Sequence, residues 1–480
     1  MPEHSPEIAI VGGGLAGCEC ALALARSGVP CTLFEQKPEA FSPAHSSPLL
    51  GELVCSNSFR SDDASGSGVG LLKQEMRLLG SEVMSAAKTC SLPAGKALAV
   101  DRTLFSEQMT RRVGQEPLIS LVRRPVRSLD DPALSGKTAV IAAGPLASEE
   151  LSQSLGEALS HDGGKAQLYF YDAIAPIVSA ESIDMGIAFR GSRYGKDAPP
   201  PYSDAAPVKE TPAEPREQDG EEGDYLNCPM TRREYEDFYL ALREAERVPA
   251  HDFEKEKHFE GCMPIEALAD RGERTLTFGP LKPVGFTDPR TGRRPWALLQ
   301  LRAENAARTS FNLVGCQTKM THGAQDRVFR LVPGLAKAEF LRYGSMHRNT
   351  YIDAPQCLNA DLSLKGRPGV FLAGQITGVE GYVESAACGL WLGLLLAARA
   401  YGRELPPPPP TTALGALLGH LQTPAKHFTP SNVHFGLMPA LEGNVKKKSR
   451  KAAMTERGQR DFSAWLALAF PDGPCGSLLI

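Results

Sequence analysis

The eleven cysteines form no CxxC pair and no spacing of a disulfide framework or a zinc site. Cys18 and Cys20 alternate where a helix is expected to begin, and the odd count fits free thiols in a reducing compartment. No metal is expected. Charge of one sign is also missing: 52 Lys and Arg stand against 56 Asp and Glu, for a formal net charge of -4 and a pI near 6.2. That balance excludes a generic polyanion binder, so any nucleic-acid contact must use a local basic face. The longest apolar run, Ser385 to Ala398, is shorter than the ~20 residues of a membrane span. A strand opens by Ile8, which leaves no room for a charged region followed by a cleavable apolar stretch. A soluble, cytoplasmic protein with no membrane association is expected. Internal repeats are absent as well.

What is present is ordinary globular composition, 42% hydrophobic and 22% charged, over 480 residues, enough for two or three domains. The opening reads strand (Ile8 to Val11), glycine turn (Gly12 to Gly17), alanine-rich helix (Glu19 to Arg26) and, after Gly28, a second strand from Val29 to Phe34. Leu118 to Val122 and Thr138 to Ala143 read as further strands, the latter ending in Gly144-Pro145. From about 165 to 330 the texture changes to short mixed segments rich in aromatics and prolines. Gly369 to Ala373 then repeats the buried-strand pattern, and a long apolar helix follows from about Glu384 to Tyr401. The order predicts a discontinuous nucleotide-binding domain with a second domain inserted: 1–150 and 336–445 for its two segments, 151–335 for the insert, and 446–480 as a basic extension. Residues 196–224, rich in Pro, Glu and Asp, read as a disordered acidic loop, and Pro406 to Pro410 as a stiff spacer ending the apolar helix.

Gly12-x-Gly14-x-x-Gly17 lies between strand and helix, the context a dinucleotide fingerprint requires. Gly12 permits the tight turn, Gly14 a close approach of backbone to pyrophosphate, and Gly17 close helix–strand packing. Gly13, Leu15 and Ala16 complete the turn, whose free N–H groups and positive helix end suit an anion. Glu35 closes the second strand where a carboxylate accepts ribose hydroxyls. FAD is favoured over NAD by Val370-Phe371-Leu372-Ala373-Gly374-Gln375, which resembles the late strand of two-segment flavoproteins, and by the strand end at Gly144. The expected fold is α/β: a Rossmann-like, two-segment FAD-binding domain of the glutathione-reductase-like kind, with an inserted mixed α+β domain.

Several stretches in order resemble one family. They include Pro43-Ala44-His45, Glu52-Leu53-Val54-Cys55-Ser56-Asn57-Ser58, Ser91-Leu92-Pro93-Ala94-Gly95 and Tyr169-Phe170-Tyr171-Asp172. Tyr225-Leu226-Asn227-Cys228-Pro229-Met230, Phe259-Glu260-Gly261-Cys262-Met263-Pro264 and Phe278-Gly279-Pro280-Leu281 continue the match. Tyr343-Gly344-Ser345-Met346-His347-Arg348-Asn349-Thr350 and Gly378-Val379-Glu380-Gly381-Tyr382-Val383-Glu384-Ser385 complete it. Spread over roughly residues 7 to 440, they are similar to the folate- and FAD-dependent tRNA (uracil-5-)-methyltransferases of bacteria, relatives of a second flavoprotein family that modifies wobble uridines. The resemblance implies tightly bound FAD, 5,10-methylenetetrahydrofolate, NAD(P)H as reductant, and 5-methyluridine in the tRNA T-loop as product.

That chemistry has definite needs. Uracil C5 is a poor nucleophile until a thiolate adds to C6 and makes the ring an enolate, and cysteine suits this step best. A base must then remove the C5 proton, and a hydride must reduce the exocyclic methylene. The resemblance marks Cys262 as nucleophile and Cys55 as acid/base partner, though the residues themselves leave the two roles interchangeable. Cys228, between Asn227 and Pro229, reads as a structural residue in a turn, and Cys18, Cys20, Cys31, Cys90 and Cys388 read as packing residues. His347 is the candidate to stack on the folate pterin and Arg348 to pair with its glutamate carboxylate. Gly378 and Gly381 are expected to let backbone approach the flavin near Glu380 and Glu384.

RNA recognition calls for cations beside aromatics, and the target base must leave its stack. The strongest basic run is Lys446-Lys447-Lys448-Ser449-Arg450-Lys451, with Arg457 and Arg460 beyond, although such runs are usually solvated faces. A ribosomal RNA uridine is the alternative target. The wobble-uridine family is the other, though it carries a further helical C-terminal domain for which this chain is too short. No obligate protein partner is expected.

Overall fold

The computed structural model describes residues 7–159, 167–193, 223–248, 263–443, 445–446 and 448–471; within these, the side chains of residues 167–172 and 348 are left aside. Cys262 and nearly all of the acidic stretch 196–224 therefore lie outside the described residues.

A five-stranded parallel sheet runs in the order Val370–Leu372, Thr138–Ile141, Ile8–Val11, Cys31–Glu35, Ile119–Arg123. Ile8–Val11, Thr138–Ile141 and Val370–Leu372 are short apolar runs buried on both faces, as parallel sheets demand, while the edge strand Ile119–Arg123 is partly exposed. The central strand is the N-terminal one, and a strand from 360 residues downstream completes one edge. This is the Rossmann-like α/β fold expected, closed by a late segment. The helix Leu15–Arg26 packs along Tyr382–Ala400 with almost no separation: a Cβ on Gly389 would run into the Ala16 carbonyl, and one on Gly393 would lie 2.7 Å from that of Cys20. The second helix is the one described helix long and apolar enough to cross a membrane, yet nearly all of it is buried in the protein core.

The inserted unit is a six-stranded antiparallel sheet, ordered Phe189–Arg190, Tyr225–Met230, Ala297–Ala303, Ser310–Leu313, Ile177–Ser179, Phe340–Arg342. Alternation gives it two unlike faces. Leu226, Cys228, Leu299, Leu301, Phe311 and Leu313 face a second hydrophobic core with the helix Arg232–Glu244. Asn227, Gln300, Arg302 and Asn312 point the other way, toward the nucleotide-binding unit. A two-stranded ribbon, Gln167–Ala173 with Met346–Ile352, joins the two units.

The first expected boundary falls inside a helix, and the second falls short of a strand that belongs to the inserted sheet. The helix Glu149–Leu159 crosses residue 151 and sends Leu151 and Leu155 into the first core, while the strand Phe340–Arg342, beyond 335, pairs with the inserted sheet. Two local expectations also change. Cys228 sits in a strand, because Pro229 needs no N–H donor where it lies, and is fully buried. The apolar helix is ended by Gly402, at φ 68°, whose left-handed turn lets Arg403 N–H reach Ala398 O at 2.9 Å; the prolines begin only at Pro406.

Two buried carboxylates tie these helices together. Glu19 accepts the N–H groups of Glu82 and Val83 at 3.0 and 2.6 Å, capping the helix Glu82–Thr89. Glu75 does the same for Ala413 and Leu414 at 2.8 and 2.7 Å, at the start of Ala413–His420. Burial pushes the Glu19 carboxyl up to about 7 and that of Glu75 up to about 8, against the lowering pull of the N–H donors. A folded-state pKa above the unfolded one favours the protonated fold. Stability from these groups is thus complete below their unfolded pKa of 4.5 and is lost as pH rises through 7 and 8. Thermal melts between about pH 6 and about pH 9 should show a falling Tm that is flatter in Glu75→Gln, whereas Glu75→Ala should cost about 1–3 kcal/mol at any pH by stranding helix N–H groups.

Candidate functional site

Two adjoining clefts open on the nucleotide-binding unit, and the second also reaches the inserted sheet. The first, about 1130 Å³, is lined by the Gly12–Ala16 turn, Glu35, Lys37, Ala142 to Ser148, Gly374 and Gln375. The turn has the geometry a dinucleotide needs. Gly12 holds φ 109° and a Cβ there would meet the Ala142 carbonyl carbon at 2.7 Å, while one on Gly17 would collide with the Gly12 carbonyl. Gly14 has open space where its Cβ would be. It is also the N-cap of Leu15–Arg26, with no side chain on the helix N–H groups and no acidic residue in the first turn, so those donors are free for a phosphate. Glu35 accepts the Gly13 N–H at 2.7 Å and the Lys37 N–H at 2.9 Å, which fixes the carboxylate at the strand end with lone pairs left for a sugar hydroxyl. Opposite, Gly374 takes φ 82° against Ala16. These residues fit FAD.

The second cleft, about 1250 Å³, shares Val54, Pro145, Leu146, Gln375 and Tyr382 with the first. Cys55, His347, Asn349, Glu380 and Gly381 line it, together with Arg302 and Asn312 from the polar face of the inserted sheet. Tyr382 begins the long helix, and its hydroxyl accepts the backbone N–H of Cys55 at 2.8 Å and that of Ser56 at 3.3 Å. Arg342 donates to the Cys55 carbonyl at 3.3 Å. Cys55, partly exposed, is thus moored by its backbone and leaves the thiol facing the cleft; the other described cysteines are buried.

Electrostatics around these clefts disfavour added positive charge. Burial lowers the His347 pKa, and the neighbouring Arg342 and His45 lower it further. Burial and Lys37 lower that of His45, partly opposed by Glu52 and Glu35. His347 Nε2 lies 3.0 Å from the Ser345 hydroxyl, so its ring is oriented as well as neutral near neutral pH.

Of the residues expected from sequence, Gly12, Gly13, Gly14, Leu15, Ala16, Glu35, Gly144, Gly374 and Gln375 line the first cleft. Cys55, His347, Gly381 and again Gln375 line the second. Gly17 serves packing. Gly378 is brought to neither: it takes φ 94°, and a Cβ there would press on the Phe428 ring. Glu384 is buried against Arg60 and the Val433 N–H, away from the cleft wall, while Glu380 holds Gln375 at 2.6 Å. The Arg348 side chain lies outside the described residues. In the basic tail, Arg457 donates to the Ala440 and Pro439 carbonyls and so acts within the fold; Arg460 pairs with its neighbour Asp461 but stays exposed, and Lys446, Lys448, Arg450 and Lys451 are solvent-facing. Sequence reasoning gave no role to Tyr382, Arg302, Asn312, Lys37 or Glu52. Tyr382 and Glu52 stood inside matched motifs; the rest are assembled only by register and loop folding.

Gly14→Ala should leave the apoprotein melting temperature nearly unchanged and weaken flavin binding roughly tenfold, about 1.4 kcal/mol, as read by titration of flavin fluorescence. Gly17→Ala should instead lose both stability and flavin.

Comparison with known proteins agrees with this layout. A family model described as glucose inhibited division protein A matches residues 7–213 and 196–404. The methylenetetrahydrofolate–tRNA-(uracil-5-)-methyltransferase TrmFO of Nitratidesulfovibrio vulgaris is 65% identical over 462 residues, covering 96% of this chain and 90% of that protein. The protein of the same name from Geobacter sulfurreducens is 52% identical over 461 residues, covering 96% and 99%. Among solved structures, Aquifex aeolicus GidA superposes with a TM-score of 0.64 at 18% identity, over 97% of this chain and 74% of that one, a likeness of fold.

Proposed function

The chain belongs to the methylenetetrahydrofolate–tRNA-(uracil-5-)-methyltransferase family, a branch related to GidA, and from that premise we propose that it methylates C5 of a uridine in tRNA. In full, the reading is that 5,10-methylenetetrahydrofolate donates the carbon, FADH2 is the reductant, and the product is 5-methyluridine in the T-loop. It extends to a cytoplasmic enzyme without an obligate protein partner.

The observation that carries it is the sharing of one wall by the two clefts. A glycine cradle suited to a dinucleotide opens directly into a chamber holding an accessible thiol and a neutral imidazole. FAD, which the Gly12–Ala16 turn, Glu35 and Gly374 would hold, would when bound and reduced supply the hydride for the methyl group, with NAD(P)H the expected source of those electrons. The chain's own residues supply the rest. One thiolate adds to uracil C6, and the second cysteine removes the C5 proton once the carbon is attached. Cys262 and Cys55 take these roles respectively. His347, flat and uncharged, offers a stacking surface for the pterin.

The test supplies the flavin-loaded protein with labelled methylenetetrahydrofolate, NADPH and separate unmodified tRNA and rRNA transcripts. Label should enter tRNA as 5-methyluridine, and Cys55→Ala and Cys262→Ala should each lower the rate at least about a thousandfold with flavin retained. Activity with S-adenosylmethionine in place of folate, or labelling of rRNA alone, contradicts the reading.

A further inference from the structure

Arg302 and Asn312 are cross-strand partners on the inserted sheet, so their side chains leave the same face, and both line the second chamber. Each is almost completely buried, at 7% and 2% exposure. Asn57, from the Cys55-Ser56-Asn57 segment, fixes the arginine. Its amide N–H groups are both engaged, by the Val100 and Ala303 carbonyls at 2.9 Å each, so its oxygen must face Arg302 Nε, at 2.7 Å. Asn312 differs: its Nδ2 donates to no protein atom although the side chain is buried in the chamber wall. A buried amide without a partner costs about 1–3 kcal/mol, which is sustained where a ligand completes it.

The pair presents donors. Of the nearby carboxylates, Glu304 binds Arg102 through Oε2 and Glu380 accepts from Gln375. Two donors beside a thiol suit a carbonyl oxygen that gains negative charge. When a thiolate adds to uracil C6, the S–C6 bond forms and the C5=C6 π pair moves through C4 onto O4, giving an enolate; O2 receives none of that charge. Resting on the reading proposed above, we infer that Asn312, backed by Arg302, donates to O4 of the target pyrimidine, selecting uracil over cytosine and stabilising the enolate. Cytosine carries an amino group at C4, so the Asn312 N–H would face another donor. The arrangement is an oxyanion hole built from side chains on a rigid strand.

The experiment uses the flavin-loaded full chain and tRNA transcripts carrying uridine, 4-thiouridine, 2-thiouridine or cytidine at the target. Wild type should methylate uridine and 2-thiouridine at rates within about threefold and 4-thiouridine at least about tenfold more slowly, since sulfur accepts hydrogen bonds poorly. Asn312→Ala should lower kcat on uridine about a hundredfold with the KM for folate changed less than about twofold and the flavin spectrum retained. Asn312→Asp, which puts an acceptor where the donor was, should lose uridine activity and gain on cytidine relative to wild type. Equal wild-type rates on the two thiouridines overturn the inference without touching the parent reading, as does a variant whose only change is a raised folate KM. Failure of wild type on plain uridine would sink the parent reading instead.

Discussion

Everything at the site depends on how closely two helices from opposite ends of the chain approach. Leu15–Arg26 and Tyr382–Ala400 touch through glycines, with Gly389 and Gly393 against the backbone of Ala16 and Cys20. At that separation the N-termini of both helices open onto the same region, one ending in Gly14 and the other in Gly381. The first leaves its N–H groups free, and the second projects Tyr382 to hold the Cys55 backbone. A wider separation would split the phosphate cradle from the chamber that holds the thiol. Dispersion and burial along an apolar seam thereby set distances among polar groups, which no polar contact alone could fix.

Much of this was legible in sequence because its signals are local. The fingerprint needs glycines at fixed spacing, so Gly12, Gly14 and Gly17 announce their turn, and Glu35 announces the end of the next strand. Gly374 carries its own strand-end signature. Cys55 and His347 came from motif resemblance, and both line the second chamber. What stayed hidden is what depends on pairing between distant strands. Nothing in the spacing of Arg302, Asn312 and Asn57 says that they meet; the register of Ala297–Ala303 against Ser310–Leu313 does. Gly378 misled because a positive-φ glycine beside a flavin motif invites a binding role, whereas here the constraint is the Phe428 ring. The boundaries at 151 and 336 misled for a related reason: a change of texture marks composition, while membership of a unit follows from which core a side chain enters.

The electrostatic character of the clefts follows from their walls. Burial keeps both histidines neutral, and the fixed positive charge of Lys37 beside His45 and of Arg342 beside His347 adds to it. An anionic cofactor and an electron-rich ring fit that environment, and a third cation does not.

The inserted sheet has one dry face and one wet one, and successive residues on a strand belong to opposite faces. Leu301 and Arg302 are covalent neighbours, yet the first is constrained by volume and the second by donor geometry. Tolerance to substitution should therefore change with every step along these strands, so that a one-residue slip in alignment would trade a steric requirement for a chemical one. Parity of position, more than proximity to the cysteine, tells an engineer which residues can be repacked and which must keep their atoms.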